Sequence, residues 1–308
     1  MINENYVESK PSIDNLIDIF GRDAWASKLP IEGINVGFSD NFDDFRVKSW
    51  NNLCPVGGKT ILELGPLECG HTYMLEQFGA KSVTSIEASK ICYLKCLMIK
   101  DIFGLKVNLL HGDFREYLQD CDKRYDVVMA SGVLYHMTDP VKLIMDICKV
   151  TDNVFMWTNY YTDSDVASFN FEKEPVSLAG KYYGYKHYYH ENNIKVNSFC
   201  GGTAPHAVWL RKEDIISVFQ DAEFNDIVVI EDSILPSFGN RCMTLFARKQ
   251  SVMASDEMVG VVNSVLNADM VSKQHMESVL EAQRIRYENS MSWKLTKPLR
   301  TLRKLIRG

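Results

Sequence analysis

The chain is short of several things that would each announce a class of protein. No apolar run approaches the length of a membrane-spanning helix, and residues 1–10 lack the basic-then-apolar pattern of an export signal. Its eight cysteines contain no C-x-x-C pair. Cys92 and Cys96 lie one helical turn apart, but no second ligand pair accompanies them, so the expectation is packing thiols and no metal. No internal repeat is visible. There is also no G-x-G-x-x-G, so a dinucleotide's pyrophosphate has no glycine-lined seat. These absences point to a cytoplasmic protein whose site is built from ordinary side chains.

What is there is a globular composition, 46% hydrophobic and 11% aromatic in 308 residues. That length holds one domain of roughly 200 to 250 residues with appendages. The organising stretch is 59–89. An apolar run through Leu64 stops at Gly65-Pro66, a helical pattern starts near Gly70, and a second β-branched run ends on Glu87. This is one βαβ unit of parallel sheet. Gly65 lets a ligand approach the backbone, and an acid at the second strand's tip can accept from both hydroxyls of a ribose. Glu63 at the end of the first strand disfavours phosphate and suits a cationic amino-acid end.

Alternation continues beyond this unit. Helical spacing covers 89–103, a short helix follows Asp113, a strand spans 126–130, and a helix over 137–148 is entered at Asp139-Pro140. A fifth strand is expected at 153–157, a helix at 208–222, and two closing strands at 224–231 and 241–248. Ahead of the unit, 13–20, 24–29 and 43–53 carry helical spacing. Three segments result: an N-terminal helical cap (1–55), a main domain (56–250) with an insertion at about 158–206, and a C-terminal helix with a basic tail (251–308).

At the glycine turn, at His111-Gly112-Asp113-Phe114 and at 125–136, ending Gly132-Val133-Leu134-Tyr135-His136, the chain resembles the class I S-adenosylmethionine-dependent methyltransferases. The resemblance covers roughly 59–249. It implies an α/β, Rossmann-like seven-stranded sheet with its last strand antiparallel and helices on both faces. It implies S-adenosyl-L-methionine as cofactor, held by Glu63, Gly65, Gly70, Glu87, Asp113, Phe114 and Ser131. Whether Cys69 or Gly70 approaches the cofactor stays open. Leading helices in that family often cover the cleft, which makes Trp25 and Phe38 candidate lid residues.

The insertion holds half of the fourteen tyrosines. Long loops on a rigid scaffold carry function, and the resemblance places this one beside the methyl donor. Tyr135, Tyr160, Tyr161, Tyr185 and His187 are the candidate substrate residues, flat faces with hydroxyls that suit sugar rings or bases. A sugar hydroxyl needs a base, and His136 is the first candidate, followed by His190 and His206.

The tail differs in kind. From Met291 onward there are six Lys/Arg and no acid, against a net charge of −6 for the whole chain. Leu299, Leu302, Leu305 and Ile306 share one helical face, a pattern that can lie on an anionic bilayer. Residues 292–300, SWKLTKPLR, are similar to the end of many bacterial glycosyltransferases and methyltransferases of surface-polysaccharide assembly. That resemblance implies a glycan or nucleotide-sugar substrate at the inner membrane face. Peripheral membrane contact through 291–308 and homodimerisation through the C-terminal helix are the matching partner expectations; nucleic acid fits less well with an acidic body. The leading function is O-methylation of a surface-polysaccharide sugar. The alternative is a tRNA wobble-uridine (carboxy)methyltransferase, which 132–136 also resembles. A non-enzymatic scaffold is the third reading.

Overall fold

The structure is a computed structural model that describes residues 6–166, 171–172, 174–189, 204–235 and 239–249. The chain divides into two units, Met1–Ser233 with Arg241–Val252, and Ile234–Asn240 with Met253–Gly308. Nearly all of the second lies outside the described residues, including the expected C-terminal helix and basic tail.

Two helices, α1 (Ile13–Asp18) and α2 (Phe45–Leu53), precede an alternating series. It runs β1 (Thr60–Leu64), α3 (Gly70–Gln77), β2 (Ser82–Glu87), α4 (Lys90–Phe103), β3 (Asn108–His111), α5 (Phe114–Gln119), β4 (Val127–Ser131), α6 (Pro140–Val150) and β5 (Asn153–Tyr160). A four-residue helix, α7 (Asp163–Val166), leads to β6 (Val176–Leu178), β7 (Tyr182–Tyr188) and β8 (His206–Leu210); then come α8 (Lys212–Asp221), β9 (Asp226–Ile234) and β10 (Arg241–Arg248). Caps fall where the side chains call for them. Ser89 accepts from the Cys92 amide to start α4, and Asp139 caps α6 with Pro140 at its first position.

The main sheet has the order β3-β2-β1-β4-β5-β10-β9, with β10 antiparallel to β5. This is the arrangement the resemblance implies. Strand alternation gives it two apolar faces. Leu62, Leu64, Val128, Ala130, Val154 and Met156 face α5, α6 and α8. Ile61, Val83, Val127, Met129 and Phe155 face α2, α3 and α4. On the second face, fully buried Trp50 of α2 lies 4.8 Å from Phe155, centroid to centroid. Among the described residues no helix is long and apolar enough to cross a membrane.

Four expectations change. Residues 24–29 are not a helix, because the Ala26 and Ser27 amides donate to the Glu68 carboxylate instead of to a helical carbonyl. The segment 208–222 is split: Val208 to Leu210 belong to β8, and the helix begins at Lys212. β5 runs three residues past Trp157. The insertion contains a second, three-stranded sheet, β6-β7-β8.

Candidate functional site

One row of residues crosses the strand ends on the α3 face. Leu64 pairs with Ile86, Glu63 with Met129, and Ser131 with Trp157. One step beyond, Glu87, Gly65, Ser131 and Trp157 therefore stand side by side. Gly65 has φ +66°, and a Cβ there would meet Val133 Cγ1 at 2.8 Å. Both conformation and space require glycine. Gly65→Ala is expected to destabilise the fold by about 1–3 kcal/mol; urea unfolding checks it, and an unchanged midpoint would contradict it.

Glu87 is buried, and its two oxygens accept the Leu67 amide (3.2 Å) and the Ser89 amide (2.8 Å). Burial raises its pKa, and these backbone donors oppose the rise. A carboxylate has about four acceptor sites, so two remain for a ligand's hydroxyls. Glu63 lies deeper, 2% exposed, accepting from Thr72 Oγ1 and from Ser85 Oγ at 2.6 Å. It braces α3 against β2 beneath the turn. That position corrects the expectation of a carboxylate presented to the ligand.

The turn between β1 and α3 holds two non-glycine residues in the left-handed region, Leu67 (φ 57°) and Cys69 (φ 56°). Each such residue costs on the order of 1–3 kcal/mol. Glu68, between them, offsets that cost. Its carboxylate, 1% exposed, accepts the amides of Ala26 and Ser27 and pairs with Lys95 Nζ at 2.8 Å. Lys95 also donates to the Ala24 carbonyl and lies 4.9 Å from the Trp25 ring centre. The N-terminal segment is thus latched to the turn. A Cβ on Gly70 would meet Asn41 backbone at 2.8 Å, and Cys69 is fully buried. Neither presents itself to a ligand; Gly70 is glycine because Asn41 packs on it. Trp25 is a buried anchor in this latch, and Phe38 is 48% exposed.

α2 adds a charged bracket. Arg46 and Trp50, one helical turn apart, lie over Trp157 (4.7 Å) and Phe155, two residues apart on β5. The two spacings match, about 6 Å on the helix and about 6.6 Å on the strand. Arg46 chelates buried Asp44, which also takes His71 Nε2 at 2.9 Å. Burial works to raise the Asp44 pKa, yet Arg46 and His71 together hold it far below the usual carboxylate range.

At the other end of the row, Asp113 caps α5 and pairs with Arg115, which keeps its carboxyl below the ordinary value. Phe114 packs into the core. His111 stacks on Tyr93 at 4.7 Å and bonds the Glu87 carbonyl through Nδ1.

Beyond Trp157 lies an aromatic group. Tyr135 meets Trp157 edge-on at 5.6 Å and His136 at 4.1 Å, while Trp209 Nε1 donates to the Tyr135 carbonyl. Tyr185, His187 and Tyr189 of the β7 segment share one face with Trp209 and Phe171, and Tyr161 packs edge-on to Tyr185 at 4.7 Å. His136, Tyr135, Tyr161, Tyr185 and His187 are therefore brought together. Tyr160 is not. It follows Trp157 by an odd step on β5, so its ring enters the opposite core and its hydroxyl donates to Asp232 at 2.6 Å. His206 is removed by the same alternation: it stands with Val208 and Leu210, away from Trp209, against Tyr188. His190 lies outside the described residues. Trp157, Phe171, Tyr189 and Trp209 carry no local sequence signal; only strand alternation along β5 and through the second sheet could have singled them out.

His136 Nδ1 is 2.8 Å from the Tyr189 hydroxyl. Burial, with a smaller contribution from His187, lowers its pKa from 6.5 to about 4. A histidine held neutral by the fold contributes stability that is complete above pH 6.5 and is lost as pH falls toward 4. Between pH 7.5 and 5 the wild type should lose about 2 kcal/mol more than His136→Gln in urea unfolding. Parallel losses would contradict the placement.

No family model matches the sequence, and no curated protein matches it. Solved structures do. The N-terminal domain of EvdMO1, crystallised in the presence of SAH and D-fucose, is 22% identical, with a TM-score of 0.58 over 73% of this chain and 91% of that one. Whole EvdMO1 gives 0.51 at 18% identity, over 81% of this chain and 54% of that one. YcgJ from Bacillus subtilis gives 0.50 at 12%, over 67% and 99%. At these identities what is shared is the fold: the chain has the Rossmann-like methyltransferase architecture.

Proposed function

We propose that the chain is an S-adenosylmethionine-dependent methyltransferase that O-methylates a sugar of a surface polysaccharide or its precursor. The observation that carries the reading is the row Glu87, Gly65, Ser131 and Trp157, which ends against the aromatic group around His136. Glu87 would take the ribose hydroxyls, Asp113 and the backbone of Phe114 would flank the adenine, and Gly65 would let the methionine part lie against the backbone. Glu63 keeps a supporting role. The fit is chemical: the turn has no second glycine for a pyrophosphate, and Glu87 keeps acceptor sites for a ribose. When bound, the donor supplies an electrophilic methyl on a sulfonium.

The chain's own residues then have positioning and proton transfer to do. Tyr135, Tyr185, Trp157 and Trp209 offer flat apolar surfaces of the kind that hold a sugar ring. His136, neutral at physiological pH, can take the acceptor's proton. EvdMO1's crystallisation with D-fucose and the SWKLTKPLR end support a sugar acceptor and a glycan-assembly context. His136→Ala is expected to lower kcat by about 10²–10⁴ and to leave donor affinity within a few-fold. A methyl-transfer assay against nucleotide sugars and lipid-linked glycans, with calorimetry on S-adenosylhomocysteine, tests this. Unchanged turnover would take the base role from His136.

A further inference from the structure

We infer that Tyr189 is a positioning residue that fixes the tautomer of His136, accepting a hydrogen bond from Nδ1–H so that Nε2 keeps its lone pair for the acceptor. The inference rests on the methyltransferase reading and deepens it. Three features of the geometry carry it.

The 2.8 Å contact engages Nδ1, while Nε2 makes no hydrogen bond among the described residues. A neutral imidazole carries one N–H, and which nitrogen holds it is set by the bond the other makes. If Nδ1–H donates to the phenol oxygen, Nε2 is an acceptor; if the phenol donates, Nε2–H is a donor and cannot act as a base. Tyr189 is also held independently of this contact. Its amide donates to the Pro205 carbonyl at 3.0 Å, which fixes the β7 end against the start of β8. Finally, the imidazole is packed on one side and its backbone is anchored. Tyr135 covers it at 4.1 Å, and its backbone amide is tied to the Val133 carbonyl at 3.1 Å.

The proton balance is simple. The acceptor's O–H proton passes to Nε2, the resulting imidazolium is supported by Tyr189 through Nδ1–H, and the proton later leaves Nε2 for water. Tyr189 gains and loses no proton.

The test is long-range ¹H–¹⁵N correlation of the full-length chain labelled at histidine, with no donor added. The wild type should show His136 as the Nδ1–H tautomer, and Tyr189→Phe should shift it toward Nε2–H. The same variant should lose tenfold or more in kcat at unchanged donor Kd and unchanged acceptor KM. An Nε2–H tautomer in the wild type, or identical His136 signals in Tyr189→Phe, would overturn the inference. Because the spectrum is read without donor or acceptor, it decides the matter even if no sugar is methylated. Failure of S-adenosylhomocysteine to bind would instead count against the methyltransferase reading.

Discussion

Glu87→Ala is expected to weaken S-adenosylhomocysteine binding by a hundredfold or more in isothermal titration. Hydrogen bonds to a charged group contribute about 1.5–3 kcal/mol each, and a ribose offers two. The substitution acts a second way. It strands the Leu67 and Ser89 amides that the carboxylate now accepts, and so loosens the turn the donor would rest on. Glu87→Gln separates the two contributions: it keeps length and one acceptor, and should lose affinity by an intermediate factor. Affinity within threefold of wild type in Glu87→Ala would remove Glu87 from the donor site.

Lys95→Met is expected to have the largest effect on stability. It leaves the Glu68 carboxylate, 1% exposed, with no cation beside it. Breaking such a pair costs about 3–5 kcal/mol, a large part of the roughly 5–15 kcal/mol that holds a domain folded. For a domain of this size that lowers Tm by about 10 °C. Glu68→Gln should be milder, since an amide oxygen can still accept from Ala26 or Ser27. A shift under 2 °C in Lys95→Met would show that the pair is not what latches the N-terminal segment. Replacing both charges is not expected to restore stability, because the two backbone amides would lose their acceptor.

The βαβ unit can be read from sequence because its signals are local: a glycine stop, a helical period, a β-branched run and a terminal acid. Glu87 and Gly65 stand out for the same reason. Glu68 and Lys95 do not, because their roles arise from a segment forty residues earlier folding back. α4 shows the difficulty. Its helical spacing comes from Ile91, Leu94, Leu97 and Met98, yet Leu94 and Leu97 are exposed and the buried face carries Cys92, Lys95, Cys96 and Ile99. A lysine on that face is the signal of a buried pair, but hydrophobic periodicity discounts it. In the insertion the alternation of Tyr182 to Tyr188 is hidden by tyrosines on both faces. Sequence alone therefore groups Tyr160 and His206 with His136, although strand geometry turns both away.

The most direct measurement is a crystal structure of the full chain with S-adenosylhomocysteine. Its ribose hydroxyls should lie on Glu87, its adenine beside Asp113 and Phe114, and its sulfur above Gly65 and Ser131 on the side of His136. A ligand bound elsewhere, or none at millimolar concentration, would contradict the assignment of this row as the donor site.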